Sequence, residues 1–278
     1  MTALSRLQFT TVTLVRETVG SMRIAGIQFD FRSDEAFTDR VDRMSAMVLE
    51  QRGADLVVLP ELWPNGGFTY DLWKETAQPL DGEVVQAMGE CARQLGGYLH
   101  AGSFVEVHDD GSLTNTSVLF DGDGSTVAVY RKMHLFGFGE GEPTLMSAGR
   151  DVVVAKTDLG SIGLTTCYDL RFPELYRRLA YGAAELVIIP AAWPKSRIDH
   201  WSVLTRARAI ENQMVVIAVN TAGTHGGKRM GGHSVVVDAR GGVLAEAGED
   251  EEVLVAEVDL ADAAKWRHDF PVLPDRRL

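Results

Sequence analysis

Two short apolar runs end in the same way, and they limit what the chain can become. Leu56-Val57-Val58-Leu59 leads into Pro60-Glu61, and Leu186-Val187-Ile188-Ile189 leads into Pro190. Neither run alternates with polar residues, so each describes a strand covered on both faces. Helical patterns surround them: Val41, Met44, Met47 and Val48 recur near helical spacing within 34–52, and a second helix is expected over 200–212. The first series reads strand 22–29, helix 34–52, strand 55–59, helix 83–95, then strands 98–107, 115–120 and 126–131. The second reads strand 161–166, a helix opening at Pro173, strand 186–189, helix 200–212, and strands 214–220, 233–238, 243–247 and 252–258 before a short helix at 260–268. Gly96-Gly97 and Asp121-Gly122-Asp123-Gly124 mark turns. Strands buried on both faces need helices on one side and another sheet on the other. The expectation is one α/β domain over residues 22–278, with two packed sheets between helical layers. Residues 1–21 precede the regular pattern and read as an N-terminal extension. Arg6 and Arg16 break any apolar core that a secretion signal would need.

Charge and cysteine content remove several function classes. The formal net charge is −12, with 27 basic and 39 acidic side chains. Such a chain repels nucleic acid, and no basic stripe offsets the repulsion. No apolar run reaches the length of a membrane span. The two cysteines, Cys91 and Cys167, are too few for a disulfide scaffold and suit a reducing, cytoplasmic setting. Cysteines and histidines are not paired at metal-ligand spacing, and no glycine-rich phosphate loop follows a strand. Neither a metal nor a nucleotide cofactor is expected.

Candidate chemistry gathers at strand ends, where ligands of α/β sheets collect. Cys167 stands between a strand and a helix, whose free N–H groups and dipole would favour a thiolate. A lone cysteine is more often a small buried hydrophobe; Cys91, among Val84, Met88 and Leu95 on a helix, fits that description. Glu61 follows a buried strand and could accept a thiol proton, although an exposed turn is the commoner fate of glutamate. Lys132 ends Val127-Ala128-Val129-Tyr130-Arg131 and could stabilise an oxyanion, or simply be a solvated rim charge.

Three segments then add a resemblance. Leu59-Pro60-Glu61, Tyr130-Arg131-Lys132-Met133-His134-Leu135 and Cys167-Tyr168-Asp169-Leu170-Arg171-Phe172-Pro173-Glu174 resemble, in order, the signature segments of the nitrilase superfamily. Gly232-His233-Ser234 and the segment 270–277 are also similar to family segments. The resemblance implies a four-layer αββα sandwich, a Glu61–Lys132–Cys167 catalytic set, and a homodimer. It also implies a supporting glutamate, for which Glu142 is the candidate and Glu140 a near neighbour. Ala148 stands where the family often has proline.

The same resemblance implies a cysteine amidase acting on a small aliphatic or ω-amide through a thioester. Glu61 would move protons, while Lys132 and the Tyr168 N–H would meet the oxyanion. Trp193, Phe68 and Trp63 could line the pocket, and Tyr168 could contact substrate. Asp169, Arg171 and Glu174 are expected to form ion pairs that hold the turn, and Arg206, Arg208, Glu211 and Asn212 to pair internally. Alternatives are a nitrilase, an N-carbamoyl amidohydrolase and a catalytically inactive binding protein. True nitrilases usually carry Trp-Glu after the cysteine, whereas Tyr168-Asp169 stands here. A papain-like Cys–His pair lacks its local signature around Cys167.

Overall fold

A computed structural model describes residues 21–277. The reading of 1–21 as an extension therefore lies outside the described residues, apart from Ser21. The first part of the chain forms β1 (Met22–Gln28), β2 (Asp30–Phe31), α1 (Phe37–Leu49), β3 (Leu56–Val58), α2 (Tyr70–Thr76), α3 (Glu83–Leu95), β4 (Tyr98–Val107), β5 (Leu113–Phe120) and β6 (Thr126–Arg131). Next come α4 (Glu142–Leu145), β7 (Val153–Thr157), β8 (Gly160–Leu164), α5 (Pro173–Tyr181), β9 (Leu186–Pro190) and α6 (Ile198–Asn212). The last part forms β10 (Val215–Val219), β11 (Ala222–His225), β12 (Lys228–Arg229), β13 (Val235–Val237), β14 (Val243–Glu246), β15 (Glu252–Val258) and α7 (Leu260–Asp269).

Two six-stranded sheets have the orders β15-β1-β3-β4-β5-β6 and β14-β13-β10-β9-β8-β7. In each, three central strands run parallel and antiparallel strands complete the edges. Side-chain alternation builds the layers. Leu56 and Val58 share the core between the sheets with Ile162, Leu164, Ile188 and Ile217. Val57 and Leu59 point the other way, into a core with Val41, Met44, Val48, Val84 and Met88 of α1 and α3. On the second sheet, Val187 and Ile189 share a core with Leu175, Leu179, Trp201 and Ala209 of α5 and α6. Each fully buried aliphatic side chain contributes roughly 1.5–3 kcal/mol. The result is an αββα sandwich, and it explains why neither apolar run alternates.

The structure departs from the two-series reading at one place. β15 closes the second series but pairs antiparallel with β1, from Met22↔Val258 to Gln28↔Glu252. The last strand of one half therefore completes the sheet of the other. Elements too short for a periodic signal were not foreseen. β11 joins β2 in parallel through Ala222↔Asp30 and Gly223↔Phe31, tying together the segments that leave β1 and β10. In α2, Trp73 is buried and its Nε1 donates to the Gly66 carbonyl at 2.7 Å. Glu61 lies beyond β3, Lys132 beyond β6, Cys167 beyond β8 and Trp193 beyond β9.

Candidate active site

The turn after β3 fixes Glu61. Gly102 approaches this turn with φ +61°, and a Cβ there would lie 2.0 Å from the Pro60 carbonyl oxygen. Only glycine fits both the backbone angle and the contact. Beyond Glu61, the Leu62 N–H donates to Ser103 Oγ at 3.0 Å, and the buried Arg40 donates to the Pro64 carbonyl at 2.5 Å. Glu61 is buried, with Oε1 accepting from Lys132 Nζ at 2.7 Å and from Asn115 Nδ2 at 2.9 Å. Its Oε2 accepts the Ala192 N–H at 2.9 Å.

Lys132 is pinned through its backbone. Its N–H donates to the Asn115 carbonyl and its carbonyl accepts the Gly149 N–H, both at 2.9 Å. A Cβ on Gly149 would lie 2.0 Å from the Arg131 carbonyl oxygen. Nζ donates to Glu142 Oε2 at 2.7 Å and Oε1 at 2.9 Å as well as to Glu61. Glu142 also accepts from Asn115 Nδ2 at 2.7 Å and the Phe136 N–H at 2.6 Å. The structure thus brings Glu142, and not the exposed Glu140, to Lys132. Burial alone would strip the Lys132 proton, but Glu142 and Glu61 overcome it and hold the ammonium well above the ordinary lysine range. Burial raises the Glu142 carboxyl against the pull of Lys132, and Glu61 adds to the rise.

Cys167 opens a five-residue 3-10 turn, Cys167–Arg171, with φ +45°. A non-glycine residue there carries about 1–3 kcal/mol of strain, which the surroundings must hold. Asp169 supplies that hold: its carboxylate accepts the Thr166 N–H at 2.8 Å, Tyr130 Oη–H at 2.6 Å and the His134 N–H at 3.0 Å. The helix expected to open at Pro173 begins there as α5, and the 3-10 turn separates it from the cysteine. The expected thiolate is corrected. Burial, and then the Glu61 carboxylate within hydrogen-bonding reach, raise the Cys167 thiol well above its ordinary value. At rest the site pairs a neutral thiol with an adjacent proton acceptor. Cys91 is buried in the core of α1 and α3, as its helix position suggested.

One pocket of about 420 Å³ is lined by Glu61, Lys132, Glu142 and Cys167 together with Phe68, Tyr168 and Trp193. Residues 23–268 match the Carbon-nitrogen hydrolase family. This chain belongs to that family. Over 93% of its length it is 45% identical to a 2-oxoglutaramate amidase of Paenarthrobacter nicotinovorans, 90% of which is covered. Its fold is similar to that of XC1258 from Xanthomonas campestris, a CN-hydrolase superfamily protein with an arsenic adduct in its active site. The TM-score is 0.86 at 30% identity, covering 94% of this chain and 98% of that one. It is also similar to an amidase mutant from Nesterenkonia sp. AN1, with a TM-score of 0.78 at 26% identity over 93% of this chain and 95% of the other. In that structure the acetamide moiety of fluoroacetamide is added to the active-site cysteine.

Several surroundings of this hydrolase's pocket differ from the sequence reading. Trp63 is fully buried and donates Nε1–H to the Ala101 carbonyl at 2.9 Å, so it belongs to the core. Asp169 holds the turn as expected, but Arg171 does not pair with it. Arg171 lies 4.6 Å over the Trp193 ring, faces His200 Nδ1 at 3.2 Å and lines the pocket, while Glu174 is exposed. His134 turns onto Asp169, with Nδ1 2.7 Å from Oδ1, and stacks on Phe172. Arg208 pairs with Glu211 at 2.8 Å and donates to the Leu170 carbonyl, in line with internal pairing. Sequence reasoning missed Asn115, which bridges both glutamates. Its signal was an asparagine within a strand, where that residue is depleted. It also missed Asn220, whose side chain accepts the Trp193 N–H at 2.6 Å and donates to the Trp193 carbonyl at 3.1 Å.

Proposed function

We propose that Cys167, Glu61, Lys132 and Glu142 form the catalytic set of an amidase that releases ammonia from a small amide. Membership in the carbon–nitrogen hydrolase family makes the chain a hydrolase of non-peptide carbon–nitrogen bonds. The observation that carries the finer reading is the convergence of a pocket thiol, a buried carboxylate and a buried ammonium. An amide carbonyl is a weak electrophile, so it requires a strong nucleophile and charge stabilisation. Cys167 attacks the carbonyl carbon as its proton passes to Glu61. Lys132 and the Tyr168 N–H, which has no acceptor inside its own short turn, meet the oxyanion. Glu61 then returns the proton to the departing nitrogen, the C–N bond breaks, ammonia leaves and a thioester remains. Water attacks the thioester, Glu61 takes its proton, and the sulfur leaves and is reprotonated. Tyr168, Trp193 and Phe68 shape the substrate space.

The name of the Paenarthrobacter relative makes an ω-amide of a dicarboxylic acid the first substrate class to test. The exposed apolar residues Val203 and Ile210 of α6, with Phe270 in the tail, support a homodimer that covers them. A nucleophilic thiol that must stay reduced suits a cytoplasmic setting. No helix among the described residues is long and apolar enough to cross a membrane. Succinamate and 3-cyanopropanoate share a carbon skeleton and test the amide reading against the nitrile one. Succinamate is expected to have the larger kcat/KM, and Cys167→Ala to abolish its turnover with unfolding nearly unchanged. Equal or better turnover of the nitrile refutes the amidase reading; an active Cys167→Ala removes the nucleophile.

A further inference from the structure

Two guanidinium groups stand in the pocket without a counter-ion. Arg171 lies over Trp193, and Arg197 lies 5.3 Å over the Phe136 ring. Neither forms an ion pair with a carboxylate among the described residues. Both line the pocket that holds Cys167. Arg197 also lines the adjoining outer cleft, beside Lys195, Lys228, Arg229 and a single acid, Glu140. The outer cations are partly compensated: Lys195 reaches Glu249 at 2.6 Å, and Arg229 faces Asp250 at 3.5 Å. The pocket pair has no such relief.

This arrangement is unexpected in a chain of net charge −12. Acidic side chains are plentiful, yet none neutralises the two arginines at the pocket. Like charges in a half-buried site repel, so the cost persists unless a ligand removes it. Burial, and then the charge of Arg197, lower the Arg171 pKa, as expected where no carboxylate intervenes. Each guanidinium has one face on an aromatic ring; Arg171 also meets His200 Nδ1 at 3.2 Å, whereas the N–H fork of Arg197 is left for an in-plane partner. A carboxylate matches that fork with two parallel hydrogen bonds.

We propose that Arg197, assisted by Arg171, determines specificity by capturing a carboxylate at the far end of the amide substrate. Arg197 belongs to both cavities, so it meets the anion in the outer cleft and keeps it as the amide reaches Cys167. The proposal rests on the amidase reading above and adds the residues that select the substrate. The cationic cleft raises the local concentration of anions against the repulsion of the whole chain.

The test compares succinamate with butyramide, a neutral amide of similar length. The wild-type enzyme is expected to favour succinamate. Arg197→Gln is expected to lower the succinamate-to-butyramide ratio of kcat/KM by about 10- to 100-fold, mainly through the KM for succinamate. Arg197→Lys recovers part of the loss, because an ammonium supplies charge without the fork. Raising the salt concentration lowers wild-type kcat/KM for succinamate. If the overall charge governed approach, salt would raise it, so a rise or no change overturns the proposal. An unchanged ratio in Arg197→Gln overturns it as well. Butyramide turned over as well as succinamate refutes anion selection and leaves the amidase reading standing. Turnover of neither amide removes both.

Discussion

Two histidines outside the proposed chemistry set how the fold responds to acid. His100 in β4 and His225 in β11 are fully buried, and burial depresses both pKa values to about 3. An unfolded imidazole titrates near 6.5. The folded value is the lower one, so each ring contributes stability that is present above 6.5 and lost as pH falls toward 3. Between pH 7 and pH 5 the loss is about 2 kcal/mol per ring, or about 4 kcal/mol for both. That is a large share of an ordinary net stability of about 5–15 kcal/mol. Glu142, whose carboxyl is raised by burial, acts in the opposite direction by binding a proton earlier in the folded state. Comparing variants isolates the histidine contribution. Neither ring nitrogen of His100 has a hydrogen-bond partner among the described residues, so His100→Leu removes a titrating group without orphaning another. Urea unfolding at pH 7 and pH 5 should show a drop about 2 kcal/mol smaller in this variant than in the wild type. Proton uptake on unfolding at pH 5 should fall by about one. Identical pH dependence in the two proteins would refute the reasoning. His225 also touches the site: its Nδ1 accepts the Gly67 N–H at 3.1 Å, and protonation removes that lone pair beside the pocket.

Asp169→Asn keeps the shape but turns an acceptor into a donor opposite Tyr130, His134 and Thr166. A stability loss of about 2–4 kcal/mol and a fall in kcat of tenfold or more, with little change in KM, are expected in thermal unfolding and steady-state assays; unchanged kcat would show that the turn keeps its geometry without this carboxylate. Light scattering at micromolar concentration should report a dimer, and Val203→Glu combined with Ile210→Glu should shift it toward monomer; a monomeric wild type removes the proposed interface.

The layers were legible because buried strands and amphipathic helices leave different periods in the chain. Leu56 to Leu59 lacks polar alternation because both of its faces are covered. The partner of β15 was not legible: an alternating strand fits an edge, but nothing local says which sheet owns that edge. Glu61, Lys132 and Cys167 stood out by their positions at strand ends and by the three segments around them. Glu142 could be separated from Glu140 only in three dimensions, where burial beside Lys132 makes the difference. Arg171 misled for a physical reason. The rule that buried charges are paired supposes a carboxylate partner, whereas here Trp193 and His200 occupy its surroundings. Cys167 misled similarly, because burial raises its thiol and the neighbouring Glu61 carboxylate, which only the folded chain brings beside it, adds to the rise.

Counting charges through the proposed reaction gives Glu142 a specific task. At rest, Lys132 faces two carboxylates, Glu61 and Glu142. When Glu61 takes the Cys167 proton, one of those carboxylates becomes neutral while Lys132 stays fully buried. Burial opposes the ammonium, so a lysine left with no anion would tend to lose its proton. Glu142 prevents this, because its charge remains while Glu61 alternates between acid and base. Its role is then to keep Lys132 cationic at the moment the oxyanion forms. Glu142→Gln retains an oxygen that accepts from Nζ but removes the charge. The Lys132 pKa should therefore fall, and the alkaline limb of kcat should move to lower pH. At pH 7 the loss in kcat should approach that of removing an oxyanion donor, about 10²–10³-fold. Glu142→Asp, which keeps the charge at a changed distance, should leave the limb closer to that of the wild type. If Glu142 merely orients the amide, Glu142→Gln lowers turnover equally at every pH. A pH–kcat profile reduced in height but unmoved along the pH axis would therefore contradict the charge argument.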